Sequence, residues 1–345
     1  MDVDGVLIAC AAGLIGGTVL GLAARLGRFC MMASIEDAVY GDDGDGLRVL
    51  SIGAATAIAA TALLAAAGWL VPESTIYLRR DWSPAASVLG GLMFGYGMAQ
   101  VGTCGYGMLA RIGGGDLRSL VMAVIIGISA YAASLGPLAP LTAAIHHPAI
   151  SVDRAATLPA LLAGPMDLPE WAVGVAVALA LLVAALGGGL PPARRAFWAV
   201  AVGLTIAGAW VATTLAGSIG FDAVAVQGFS FVFPLGDTVA VSMTGSLAAV
   251  PSFGVTAVMG VVLGAAVAAR LTGEVRWEAC DDARELRRQM LGAAMMGVGG
   301  IIAVGCTVGQ GLSALSVLSL SAPVTIAAIS AGARLGLFSL VERSV

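Results

Sequence analysis

Three cysteines, Cys30, Cys104 and Cys306, lie in glycine-rich breaks of an otherwise very apolar chain, and two of these breaks are copies of one another. Leu89-Gly90-Gly91-Leu92-Met93-Phe94-Gly95-Tyr96-Gly97, leading to Cys104-Gly105-Tyr106-Gly107, recurs as Leu291-Gly292-Ala293-Ala294-Met295-Met296-Gly297-Val298-Gly299, leading to Cys306-Thr307-Val308-Gly309, at a constant offset of 202 residues. A weaker match at an offset of 200 pairs Phe29 with Phe229, Cys30 with Ser230, Asp37 with Asp237 and Val39 with Val239. Four equivalent positions around one centre follow: Cys30, Cys104, Ser230 and Cys306. A duplicated membrane protein whose broken helices form a central site needs this arrangement.

The chemistry of such breaks suits an anion. A glycine-rich break frees backbone N–H groups, and the N-terminus of the next half-helix adds partial positive charge. Together they hold an anion without a lysine. Gly105, Gly107, Gly309 and Gly311 let the backbone approach a ligand closely, while Thr307, Gln310 and Ser313 offer neutral donors. Arg28 and Arg111 are near enough in sequence to attract anions at the cytoplasmic side.

The thiols narrow the ligand further. A thiol buried away from charge stays protonated, and a thiolate about 4 Å from a dianion would be repelled by roughly 8 kcal/mol at an effective dielectric of about 20. A neutral S–H is a weak, soft donor, better suited to a large polarisable sulfur than to a hard oxygen. Three of them point to an anion with a terminal sulfur, thiosulfate being the obvious case. Neutrality also slows attack on that sulfur, which suits a transporter and not a sulfurtransferase.

Other reactive side chains have plainer readings. Cys10 sits mid-span as a small hydrophobe, and Cys280 falls in a charged cytoplasmic loop as an incidental thiol. His146 and His147 read as solvated loop residues, and the run Glu274–Arg288 as a solvated helical hairpin end. Glu36 and Asp37 either relay protons or cap a short helix. Met93, Met98, Met295 and Met296 read as packing between helices. The cysteines lack CxxC and zinc spacing, which argues against a disulfide scaffold or structural zinc and leaves a redox pair between distant loops open; no metal, cofactor or nucleic-acid partner is expected.

The elements that position these residues are membrane helices. The chain is 59% hydrophobic and 11% charged, against roughly 45–50% and about 25% in globular domains, and only lipid absorbs that much apolar surface. Its 48 glycines favour close helix packing. Every basic residue is Arg, which excludes a Walker-type loop and Schiff-base chemistry. No signal peptide is expected, because acidic Asp2 and Asp4 stand where a basic leader would be.

Nine stretches are long enough to cross about 30 Å of hydrocarbon: near 5–24, 49–71, 86–104, 118–136, 170–188, 196–216, 249–269, 289–305 and 320–341. The proline-rich segment 137–169 reads as a long loop. Sorted by these spans, fourteen arginines fall on one side and three (Arg79, Arg80, Arg154) on the other, which predicts an external N-terminus and a cytoplasmic C-terminus. The expected fold is a single all-α transmembrane domain over 1–345, with re-entrant half-helices at Arg28–Tyr40 and Gln227–Val239. Repeat 1 covers about 5–136, a connecting loop and helix about 137–190, and repeat 2 about 196–341. Five crossings separate equivalent helices, so the repeats are expected to be inverted.

Gly27-Arg28-Phe29-Cys30, Gly102-Thr103-Cys104-Gly105-Tyr106-Gly107 and, most distinctively, Gly305-Cys306-Thr307-Val308-Gly309-Gln310-Gly311-Leu312-Ser313 resemble the motifs of the YeeE/YedE family of bacterial sulfur transport proteins. The resemblance spans about residues 5–341. It implies a pseudo-symmetric, hourglass-like helical protein in the inner membrane that takes up thiosulfate through a narrow centre, with functional cysteines at Cys30, Cys104 and Cys306. It also implies a separate TusA-like sulfur-carrier protein as a cytoplasmic partner. Some relatives serve sulfur oxidation and others selenium metabolism. Two rival readings predict different behaviour. A membrane sulfurtransferase would trap a persulfide on Cys104 or Cys306; a non-transporting sensor would bind the anion without flux.

Overall fold

The computed structural model describes residues 3–41, 43–70, 75–78, 81–147, 150–151, 157–159, 169–219, 225–244, 252–278 and 282–342. Cys280, Arg79, Arg80 and Arg154 lie outside them. The architecture is helical: α1 (Val3–Leu26), α2 (Met31–Tyr40), α3 (Asp45–Ala66), α4 (Pro84–Val101), α5 (Gly105–Gly113), α6 (Leu117–Ser134), α7 (Ala139–His146), α8 (Glu170–Leu186), α9 (Ala193–Ile219), α10 (Val232–Thr244), α11 (Phe253–Thr272), α12 (Ala283–Ile302) and α13 (Ser321–Glu342). Among the described residues six helical stretches are long and apolar enough to cross a membrane, namely Gly5–Tyr40, Asp45–Ala66, Leu117–Ser134, Ala193–Ile219, Phe253–Thr272 and Ser321–Leu340.

Local sequence sets the helix boundaries. Ser83 Oγ accepts from Ala86 N (3.3 Å) ahead of Pro84, which opens α4 as proline suits a first helical turn. Asp116 caps α6 by accepting from Arg118 N (2.9 Å) and Ser119 N (3.3 Å). Asp282 caps α12, so α12 starts at Ala283 with Arg284, Glu285, Arg287 and Arg288 in its first turns. The expected span 289–305 therefore begins earlier and ends at Ile302. Gly102 and Gly273, both left-handed, close α4 and α11, as glycine does most cheaply.

Two sequence expectations need correction. The segment 137–169 is not all loop: Pro140 falls in the first turn of α7, where its missing N–H costs nothing, and Asp81–Trp82 pairs antiparallel with Ile150–Ser151. Glu274–Glu278 is not a helical hairpin either. Arg276 N donates to Gly114 O (3.0 Å) and Leu117 N to Glu278 O (3.0 Å), so the turn before α6 satisfies this backbone.

Helices meet in a regular pattern. α1 packs on α11 and α9, α3 on α9 and α8, α4 on α12 and α13, and α6 on α12 and α10. The duplicated glycines form the α4–α12 crossing. A Cβ on Gly90 would lie 2.7 Å from Gly299 O, and one on Gly299 would lie 2.8 Å from Gly90 O. Gly97 and Gly292 oppose each other's backbone in the same way, which is the close approach small residues permit. The core is completed by fully buried Phe94, Met98, Met296, Trp210, Phe229 and Phe231.

Candidate functional site

Each break is built around a left-handed residue two positions before its cysteine: Arg28 (φ 51°) before Cys30, Gly102 (φ 79°) before Cys104 and Val304 (φ 54°) before Cys306. The turn redirects the chain so that each cysteine opens a short helical segment. Cys30 is the N-cap of α2 and Cys104 that of α5. Cys306 precedes a helical stretch whose Gly309–Ala314 turn is π-type, a rare geometry that concentrates at functional sites.

The sulfurs cap these segments. Cys104 Sγ accepts from Gly107 N (3.5 Å) and Cys306 Sγ from Gly309 N (3.4 Å), the same contact in both halves. Cys30 makes no side-chain cap bond, and its sulfur faces Gly107, lying 3.8 Å from where a Cβ there would stand. Ser230 Oγ lies 3.9 Å from Cys306 Sγ and 2.9 Å from a Cβ position on Gly309. Cys30 and Ser230 thus oppose equivalent glycines, Gly107 and Gly309. Gly107, whose N–H caps Cys104, also faces Cys30, and Cys104 lines one cavity with Thr307, the residue after Cys306. The four predicted positions fall in one neighbourhood. Cys104 and Cys306 are buried, and Cys30 is half-buried.

The predicted polar groups divide into two kinds. Gln310 is committed to structure: its Nε2 donates to Ala303 O (2.9 Å) and Val304 O (3.0 Å), pinning the turn before Cys306. Ser313 Oγ donates to Phe229 O (2.7 Å). Thr307 Oγ1 sits beside the Cys104 thiol yet, among the described residues, makes no well-formed hydrogen bond while buried. Gly105 has only Leu235 within reach of a Cβ, and Gly311 has nothing within 4 Å, so space is open at both.

Cavities approach from different sides. One of about 220 Å³ is bounded by Cys104, Thr307, Gly311 and apolar side chains such as Phe29 and Leu312. A second, about 440 Å³, is lined by Tyr77, Ser230, Asp237 and Gly305. A third, about 270 Å³, is lined by Glu36, Gln100, Arg111 and Arg288. Arg111 also donates to Gly102 O (3.1 Å) and so ties down the turn before Cys104, whereas Arg28 is exposed. His146 is half-buried and lines a further cavity of about 380 Å³ with Tyr77 and Gln310, a correction to its reading as a solvated loop residue. His147 is exposed. Among the described residues no cluster of three metal-ligating side chains occurs.

Sequence reasoning missed Tyr77 and Tyr106. Tyr77 is buried with its ring edge on Trp210 (centroids 6.2 Å) and its hydroxyl 3.1 Å from a Cβ position on Gly309. Tyr106 donates to Leu20 O (2.6 Å) and stacks on Phe231. Tyr106 lies inside the Cys104 motif and was legible there; Tyr77 carries no local signal, because it reaches the site from the segment between α3 and α4.

The chain is similar to known proteins along most of its length. Residues 26–335 match the model of the sulphur transport family. The chain is 26% identical over 321 residues to the thiosulfate transporter TsuA of Escherichia coli (strain K12), covering 87% of this chain and 86% of that protein. It is 23% identical over 318 residues to the thiosulfate transporter TsuA of Spirochaeta thermophila, covering 90% and 92%. With the match running through all three cysteine breaks, the chain belongs to the sulphur transport family.

Proposed function

We propose that the chain carries thiosulfate, or a closely similar sulfur-containing anion, into the cell across the bacterial inner membrane. The observation that carries this reading is the meeting of Cys30, Cys104, Cys306 and Ser230 at the starts of short helical segments. The anion enters by the cavity lined with Tyr77 and Ser230, passes Cys306, Cys104 and Cys30 in turn, and leaves toward Glu36 and Arg111. Thiol hydrogens contact its terminal sulfur, while the Thr307 hydroxyl and N–H groups at Gly105, Gly107, Gly309 and Gly311 stabilise its charge, those of Gly107 and Gly309 exchanging their long contacts to the cysteine sulfurs for the anion. Gln310 holds the second break in shape, and Arg28 draws the anion along the inner face.

Nine crossings arranged as two inverted repeats frame this path. The helix pairing supports that arrangement: exchanging α1 with α9, α3 with α11, α4 with α12 and α6 with α13 turns α1–α11 into α9–α3 and α4–α13 into α12–α6, and leaves α1–α9 and α4–α12 unchanged. The reciprocal Gly90–Gly299 and Gly97–Gly292 contacts fit the same two-fold relation. The arginine bias supports an external N-terminus and a cytoplasmic C-terminus, and a separate TusA-like carrier receives the sulfur on the cytoplasmic side. Import of a dianion against 100 mV costs about 4.6 kcal/mol, so inward flux needs coupling or rapid consumption inside.

Competition for uptake by purified protein in liposomes tests the reading. Excess unlabelled thiosulfate should suppress entry of radiolabelled thiosulfate, and sulfate, which lacks the soft sulfur, should not. Equal suppression by both anions would remove the basis for a thiol-selective path.

A further inference from the structure

We propose that Asp237 is a proton-binding site linked to anion occupancy, so that an anion entering the outer cavity takes up a proton there. The inference rests on the uptake reading above and adds what accompanies the anion. Asp237 lies on α10 and is half-buried. Its Oδ1 accepts a 2.6 Å hydrogen bond from Tyr131 Oη on α6, and it lines the same cavity of about 440 Å³ as Ser230 and Tyr77. Among the described residues lining that cavity, Asp237 alone carries a formal charge. A fixed carboxylate of the anion's own sign at the entrance to an anion site opposes entry unless it is neutralised.

No described arginine is placed to neutralise it, and His146 lines the neighbouring cavity and not this one. α10 packs on α6, α11 and α12. From α6 the titratable group that meets it is Tyr131, and Arg118 lies at the other end of that helix. On α11 the charged residue is Arg270; on α12 they are Arg284, Glu285, Arg287 and Arg288. All of these sit roughly 20 Å or more along their helices from the cavity-lining residues Ser134, Phe253 and Ile301, at about 1.5 Å per residue. Tyr77 also lines the cavity, and His146 lines the neighbouring one beyond it. Among the described groups, a proton on Asp237 is therefore the available counter-charge. The linkage is reciprocal: acid outside favours anion entry, and anion entry favours protonation. One proton accompanying each dianion halves the net charge delivered to the site.

The test is the initial rate of radiolabelled thiosulfate uptake into liposomes at zero potential, with internal pH fixed and external pH varied from about 8 to about 5.5. Wild type should accelerate at least about fivefold toward acid, and Asp237→Asn should flatten the profile. Tyr131→Phe retains a titrating carboxylate without its hydrogen bond, and should displace the profile along the pH axis even if the Asn variant fails to fold. A flat wild-type profile, an unchanged acid response in folded Asp237→Asn, or a Tyr131→Phe profile superimposed on wild type would each overturn the proposal. Uptake with a flat profile would remove only the proton linkage. No uptake at any pH would remove the uptake reading, and this proposal with it.

Discussion

Gly102 and Val304 are the same turn residue in the two halves of the chain, both left-handed (φ 79° and 54°) and both two residues before a buried cysteine. Glycine adopts this conformation freely, while a β-branched residue there is an outlier. The second break holds its strained turn through Gln310, whose amide binds the carbonyls of Ala303 and Val304. Strain of this kind persists only where the surroundings over-determine it, and it clusters at functional sites.

Val304→Gly should therefore stabilise the protein by about 1 kcal/mol and slow uptake several-fold, because Cys306 is then less firmly placed. Gly102→Ala, where a Cβ would meet nothing within 4 Å, should cost about 1 kcal/mol from backbone conformation alone. Thermal unfolding in detergent with parallel uptake assays checks both.

Gln310→Leu should lower stability by about 1–2 kcal/mol, since it leaves the buried Ala303 carbonyl and the part-buried Val304 carbonyl without their partner. A smaller loss than from Val304→Gly's gain would mean that water or a rearranged backbone replaces the amide.

Gly311→Ala and Thr307→Val separate binding from folding. A methyl on Gly311 meets no protein atom within 4 Å, and the Thr307 hydroxyl has no well-formed hydrogen bond to lose. Both variants should unfold within a few degrees of wild type, yet take up thiosulfate about tenfold more slowly if the proposed anion path is right, because each removes room or a donor along it.

The α4–α12 crossing predicts the opposite pattern. Gly299→Val places side-chain atoms against the backbone of Gly90 and Phe94 and should cost about 1–3 kcal/mol by overpacking. Gly208→Ala on α9, where a Cβ meets nothing within 4 Å, should be neutral or stabilise by up to about 1 kcal/mol.

Much of this was legible in the sequence. The repeated Leu-Gly spacing before Cys104 and Cys306 located both breaks, and the weaker Phe29/Phe229 match located Cys30 and Ser230, because a duplicated backbone needs glycine at the same close approaches. Helix ends were less visible: α12 starts at Ala283 because Asp282 caps it, although its first turns are charged. Tyr77 was invisible because its placement depends on tertiary packing against Trp210 and Gly309. Gln310 was read as a ligand donor because sequence shows a side chain's capacity to donate, and the fold decides where its hydrogens go.

The most direct measurement is radiolabelled thiosulfate uptake into liposomes by wild type, Cys104→Ala and Cys306→Ala, each first shown to be folded by thermal unfolding. Loss of the soft donors predicts a fall of about tenfold or more in both variants with wild-type uptake intact. Folded variants that import thiosulfate at the wild-type rate would contradict a path through these thiols.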